Sequence, residues 1–129
     1  MPVTYHVDPA NETVHTQVTG RIDAADVRGH MQDLLANPAC PAEIFVLIDA
    51  SGLEMVITPE LIRVTASELV RLGERFVFRG VAVVVSGTAQ YGMFRMGQFI
   101  LEPHLPVTNV FREHAEAVTW LKGLRTERT

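Results

Sequence analysis

Runs of five apolar residues occur at Ile44-Phe45-Val46-Leu47-Ile48 and at Val81-Ala82-Val83-Val84-Val85. Successive side chains of a strand point to opposite faces, so an apolar run without alternation predicts a strand buried on both sides, as in the centre of a parallel sheet. The strands expected are Glu43 to Asp49, broken by Asp49-Ala50-Ser51-Gly52, and Gly80 to Val85. Both runs are far too short to span a bilayer. The rest of the chain must therefore cover a two-sided sheet.

Elsewhere the pattern alternates. Val3, Tyr5 and Val7, then Val14, Thr16 and Val18, are interleaved with polar residues, and Asp8-Pro9-Ala10-Asn11 between them has turn chemistry, which predicts a β-hairpin. After Gly20, Asp23 can cap a helix that carries Asp26 in its first turn and the stripe Val27, Met31, Leu34 and Leu35, ending before Asn37-Pro38. Thr58-Pro59-Glu60 places a cap, a proline and an acid at the start of a second helix, which runs to Leu72 and stops at Gly73. Ser86-Gly87-Thr88 leads into a third helix from about Ala89 to Leu101, closed by Pro103. Val107 to Phe111 reads as a last strand and Glu113 to Leu124 as a last helix, with Ala117, Val118, Trp120, Leu121 and Leu124 inward.

The order ββαβαβαβα predicts an α/β fold with a mixed, mostly parallel five-stranded sheet, only the first strand antiparallel. Right-handed crossovers between neighbouring strands put the helices mainly on one face. The second face then needs a cover, and a twin subunit in a homodimer is the expectation. A single domain is expected over residues 1–124, with a frayed polar tail over 125–129.

With 129 residues, 47% of them apolar and 20% charged, the chain can bury a core by itself. Its net charge is −4 and its eleven Lys and Arg are scattered, so neither nucleic acid nor an anionic membrane is expected as a partner. Cys40 is the single cysteine, which excludes an intrachain disulfide and reads as an inert core thiol. The start Met1-Pro2-Val3-Thr4-Tyr5-His6 lacks the pattern of a signal peptide, and no membrane insertion and a cytoplasmic location are the expectation.

Three strings, taken with the order of elements, resemble the SpoIIAA-like (STAS-like) family of small bacterial proteins. They are Gly20-Arg21-Ile22-Asp23; Val81-Ala82-Val83-Val84-Val85-Ser86-Gly87 running into Ala89-Gln90-Tyr91-Gly92-Met93-Phe94-Arg95-Met96; and Val110-Phe111-Arg112 leading to Glu116-Ala117-Val118-Thr119-Trp120-Leu121. The resemblance implies a non-catalytic role, either as a protein-interaction module or, since the fold is related to the CRAL-TRIO lipid-transfer domains, as a carrier of a small apolar ligand. Anti-sigma-factor antagonists of that fold carry a phosphorylatable serine in Asp-Ser-Ser-Gly at the opening of the second helix. Asp49-Ala50-Ser51-Gly52-Leu53 imitates it but sits at the end of a strand, and the helix opens only at Thr58. Ser51 and Thr58 are thus the candidate regulatory phosphosites of an alternative, phospho-switch reading, with Thr58 better explained as a plain N-cap.

The third helix is the most unusual segment. Tyr91, Met93, Phe94, Met96, Phe99, Ile100 and Leu101 crowd it, more apolar surface than one packing face needs, and the interior glycines Gly92 and Gly97 suggest a close backbone approach. Tyr91, Met93, Phe94, Arg95, Met96 and Phe99 are therefore the candidate ligand-binding residues, with Arg95 as a charged group on the rim. Packing against the sheet and a neighbouring helix or subunit is the competing account. Ser86-Gly87-Thr88 could receive an anion, but no phosphate-binding glycine motif is present. His6 and His15 can lie diagonally on the hairpin, yet no metal set is formed. Asp49 at a strand's carboxyl end is where α/β proteins bind ligands, which leaves a small enzyme using Asp49 as a further alternative. No nucleophile elbow surrounds Ser51, so no catalytic residue, no metal and no cofactor is assigned.

Overall fold

The computed structural model describes residues 2–127. A hairpin of β1 (Val3–Asp8) and β2 (Thr13–Gly20) is followed by α1 (Ala24–Ala36), β3 (Glu43–Leu53), α2 (Pro59–Leu72), β4 (Val77–Val84), α3 (Thr88–Leu101), β5 (Thr108–Phe111) and α4 (His114–Glu127). The five strands lie in chain order, β1 antiparallel to β2 and every other pair parallel. This is the α/β architecture that the apolar runs and helix caps predict.

The helix starts follow from local chemistry. Asp23 accepts from the Asp26 N–H and Asp26 accepts from the Asp23 N–H, each at 2.9 Å, a reciprocal capping box at the first turn of α1. Thr58 Oγ1 accepts from the Leu61 N–H at 3.2 Å, so the hydroxyl caps α2. At the start of α3 the cap is Gly87, whose φ of 86° favours glycine and which offers no side-chain bond.

The ends of β3 and α4, the start of β4 at Val77 rather than Gly80, and the exposure of Val118 differ from the sequence reading. β3 does not break at Asp49 but runs on to Leu53, because β2 continues alongside it to Gly20. The extra residue is absorbed by a shift in register between Gln17 and Thr19, and the Asp49 carboxylate holds this bulge by accepting from the Ser51 N–H at 3.0 Å and the Ser51 hydroxyl at 2.6 Å. Gly52 is needed there, since a Cβ would stand 2.9 Å from Thr19 Cγ2. At the other end, α4 continues through Arg125, Thr126 and Glu127; the Arg125 guanidinium donates to Thr13 Oγ1 at 3.3 Å and lies 5.9 Å from the Phe45 ring centre. Arg128 and Thr129 lie outside the described residues. Val118 is 38% exposed rather than inward, while Ala117 and Leu121 carry the packing face.

The sheet has two unequal faces. On one, β-strand residues such as Val14, Ile44, Val46, Val81 and Val83 face Leu34 of α1 and Leu72 of α2. On the other, Phe45, Leu47, Ala82 and Val84 pack against Ala117 and Leu121 of α4, with Trp120 and Leu124 at the margin. The expectation that a second subunit covers this face loses its premise, because α4 covers it from within the chain. Handedness constrains a helix that joins two parallel strands, and α4 follows the last strand, so it is free to cross to the bare side. Gly80 makes room for it: a Cβ there would come within 2.7 Å of Leu124 Cδ1 and 3.4 Å of Leu121 Cδ2.

Candidate functional site

The three crossover helices do not rest evenly on the sheet. α1 approaches the edge strand β1 and α3 the edge strand β5, whereas α2 is held chiefly between α1 and α3. Gly97 lets α3 close on α2, with Ile62 Cδ1 only 3.3 Å from where a Cβ would sit. The close approach expected from interior glycine is thus found at Gly97 and not at Gly92, which has nothing within 4 Å of its would-be Cβ. The helical layer spans the middle of the sheet and leaves a cavity of about 190 Å³ beneath it.

The cavity wall combines Val18, Val46, Ile48 and Val83 of the sheet with Met31 of α1, Ile62 and Leu69 of α2, and Phe94 and Leu101 of α3. None of the described residues that line it is an Asp, Glu, Lys or Arg.

Four polar residues on the wall differ in how they are satisfied. Thr65 Oγ1 donates to Leu61 O and Thr108 Oγ1 to Leu105 O, each at 2.8 Å. Gln98 donates to Thr108 O at 2.5 Å and accepts from Arg95 at 3.2 Å. Thr16 of β2 is only 4% exposed, and its Oγ1 is, among the described residues, the buried side-chain oxygen or nitrogen without a hydrogen-bond partner. It shares a strand face with Val14 and Val18, so the side chain stands on the cavity side of the sheet. Leaving a buried hydroxyl unpaired costs about 1–3 kcal/mol, which valine in its place would avoid. His30 of α1 also lines the cavity, its ring edge-on to Tyr5 at 5.4 Å, and burial holds its pKa below the ordinary 6.5.

The residues singled out from the sequence divide over different surfaces. Phe94 lines the cavity. Tyr91 is half-buried against the core, with the Arg112 guanidinium 4.6 Å over its ring. Arg95 is half-buried and held by Gln98 and, at 3.5 Å, by Asn109; it does not line the cavity. Met93 is half-buried and away from the cavity wall, while Met96 and Phe99, 44% and 72% exposed, form an outward patch with Ile100. The surplus of apolar surface on α3 is thus two features: an inner face on the cavity and an outer face in solvent.

On the α4 side of the sheet, His6 and His15 stand directly opposite each other in the hairpin register, not diagonally, with rings stacked at 4.8 Å. Burial, and then the neighbouring His6, lower the His15 pKa. Among the described residues no group of three or more His, Cys, Asp or Glu could hold a metal ion. Ser51 is exposed on β3 with its hydroxyl bonded to Asp49, and Thr58 is engaged as the α2 cap. Cys40 is buried in the core, where burial raises its thiol pKa.

Two side chains that build the surroundings are invisible to motif reading. Arg75, from the turn after α2, donates to Leu34 O, Leu35 O, Asn37 O and Cys40 O at 2.7 to 3.0 Å, closing the C-terminal end of α1. Gln90, buried at the start of α3, accepts from the Ile57 N–H at 2.9 Å and donates to Met55 O at 2.7 Å, fixing the segment between β3 and α2. A long polar side chain at an otherwise apolar position was the available signal for Gln90; nothing local marks Arg75.

No family model matches the chain, and no curated protein matches it. It is similar in structure to an uncharacterized protein of the DUF3478 family with a SpoIIAA-like fold from Shewanella loihica PV-4, with 18% sequence identity and a TM-score of 0.62 over 92% of this chain and 93% of that one. The fold is SpoIIAA-like. Among the described residues no helix is long and apolar enough to cross a membrane.

Proposed function

We propose that this SpoIIAA-like chain is a non-catalytic binding domain that takes a small apolar molecule between its sheet and helices α1 to α3. The observation that carries the reading is the cavity of about 190 Å³ with hydrocarbon walls. An engineered apolar cavity of about 150 Å³ is enough to bind benzene, so this one has room for a somewhat larger molecule. Its walls come from the sheet and all three crossover helices, so an occupant would touch every layer of that half of the fold. Native mass spectrometry of protein purified without detergent, followed by titration with n-octane, tests it. The expected result is a co-purified small molecule or saturable methyl shifts at Val46, Ile48, Ile62 and Leu69. Shifts that stay unchanged up to the solubility limit, with no bound molecule found, would remove this function.

A second reading is favoured by the outward patch of α3. Met96, Phe99 and Ile100 are exposed large apolar residues on one helix, a feature that suits a protein partner, including a second copy of this chain. Sedimentation of the wild-type chain and of Phe99→Glu separates the cases: an oligomer dispersed by the substitution supports self-association through this patch, and identical monomeric profiles oppose it.

A further inference from the structure

We infer that the occupant of the cavity is a neutral molecule, mostly hydrocarbon, bearing one hydrogen-bonding group that pairs with the Thr16 hydroxyl: an alcohol, aldehyde or ketone rather than a carboxylate. The inference rests on the apolar-ligand reading above and adds its chemistry. The Thr16 residue lines the cavity, and its oxygen is buried without a partner among the described residues, so a ligand that supplies one removes an existing defect. The other hydroxyls on the wall, Thr65 and Thr108, are already spent on backbone carbonyls, and Gln98 is held between Thr108 and Arg95. Among the described residues this leaves the wall with one unengaged buried hydroxyl, which selects a molecule with one polar group.

Charge sets the second limit. Among the described residues no Lys or Arg lines the cavity, and Arg95, placed on the rim by sequence, is turned to Gln98 and Asn109 instead. His30 is the remaining basic group on the wall, and its burial keeps it neutral near neutral pH. A carboxylate entering here would lose its hydration without gaining a counter-charge, whereas a hydroxyl or carbonyl loses far less. Thr16 pairs in register with Tyr5 of β1, and the Tyr5 ring meets His30, so the polar end of the cavity lies toward β1 and α1. The chain of the ligand would then run toward Phe94 and Leu101 of α3.

Three eight-carbon probes test this: 1-octanol, n-octane and, at about pH 8 where it is ionised, octanoate. They are titrated into the wild-type chain, Thr16→Val, which keeps the shape without the hydroxyl, and Thr16→Ser, which keeps the hydroxyl. Wild type is expected to bind 1-octanol at least about tenfold more tightly than octanoate. Thr16→Val is expected to weaken 1-octanol about tenfold relative to n-octane, and Thr16→Ser to leave their ratio near that of wild type. Octanoate binding as tightly as 1-octanol, or Thr16→Val changing 1-octanol and n-octane by the same factor, would overturn the inference while leaving an apolar cavity in place. Wild type that takes up neither n-octane nor 1-octanol would overturn the cavity reading as well.

Discussion

At single residues, what matters here is whether each buried polar group has a partner. Arg75 is tied to four carbonyl oxygens at the end of α1, and its guanidinium stacks 4.5 Å from the Phe76 ring centre. Arg75→Ala is expected to lower unfolding stability by about 2–3 kcal/mol, measured by urea denaturation, since charge-assisted bonds to half-buried carbonyls are lost together. Thr16 is the opposite case. Thr16→Val removes an unpaired hydroxyl without changing the volume, so the ligand-free chain should gain about 1–2 kcal/mol in the same measurement. The histidines set the pH response. His15 and His30 have folded pKa values below 6.5, so the unfolded chain binds more protons across that interval. Their contribution to stability is complete above pH 6.5 and is lost as pH falls through the folded values. A plot of midpoint against pH should therefore slope down on acidification, and His30→Gln should flatten it.

Glycine positions decide how the elements pack. Gly92 faces open space on α3, so Gly92→Ala should stabilise the helix by about 0.5–1 kcal/mol. Gly80 on β4 is where α4 docks, and Gly80→Val should cost about 1–3 kcal/mol because Leu121, Leu124 and Phe45 crowd the new side chain. Thermal unfolding of the two variants should shift in opposite directions. The same contrast explains why the interior glycines of α3 could be read only halfway from sequence. Composition shows that a helix carries glycine, but the neighbour that requires it, Ile62 for Gly97, is thirty-five positions away.

The whole molecule is a sheet covered on one face by three crossover helices and on the other by α4. Without α4 the side chains of Phe45, Leu47, Ala82 and Val84 would form a solvent-facing apolar strip. A chain ending after Phe111 should consequently self-associate or precipitate, whereas the full chain should not depend on that face for its oligomeric state; light scattering distinguishes the two. α4 is thus the element that replaces the twin subunit which sequence reasoning invoked, and its own packing residues, Ala117 and Leu121, were legible as an apolar stripe.

Element order, strand direction and the helix caps at Asp23 and Thr58 are written in the sequence, because they depend on periodicity and on bonds spanning three residues. The double-sided burial of Ile44 to Ile48 and Val81 to Val85 is written there too, since an unbroken apolar run leaves no wet face. What only the tertiary structure decided are matters of distance between segments far apart in the chain. The side taken by α4, the height of α2 above the sheet, and the isolation of the Thr16 hydroxyl all belong to this class. A threonine in an alternating strand reads as a half-polar position; whether its oxygen meets water, a carbonyl or a hydrocarbon cavity depends on helices that fold over it from elsewhere.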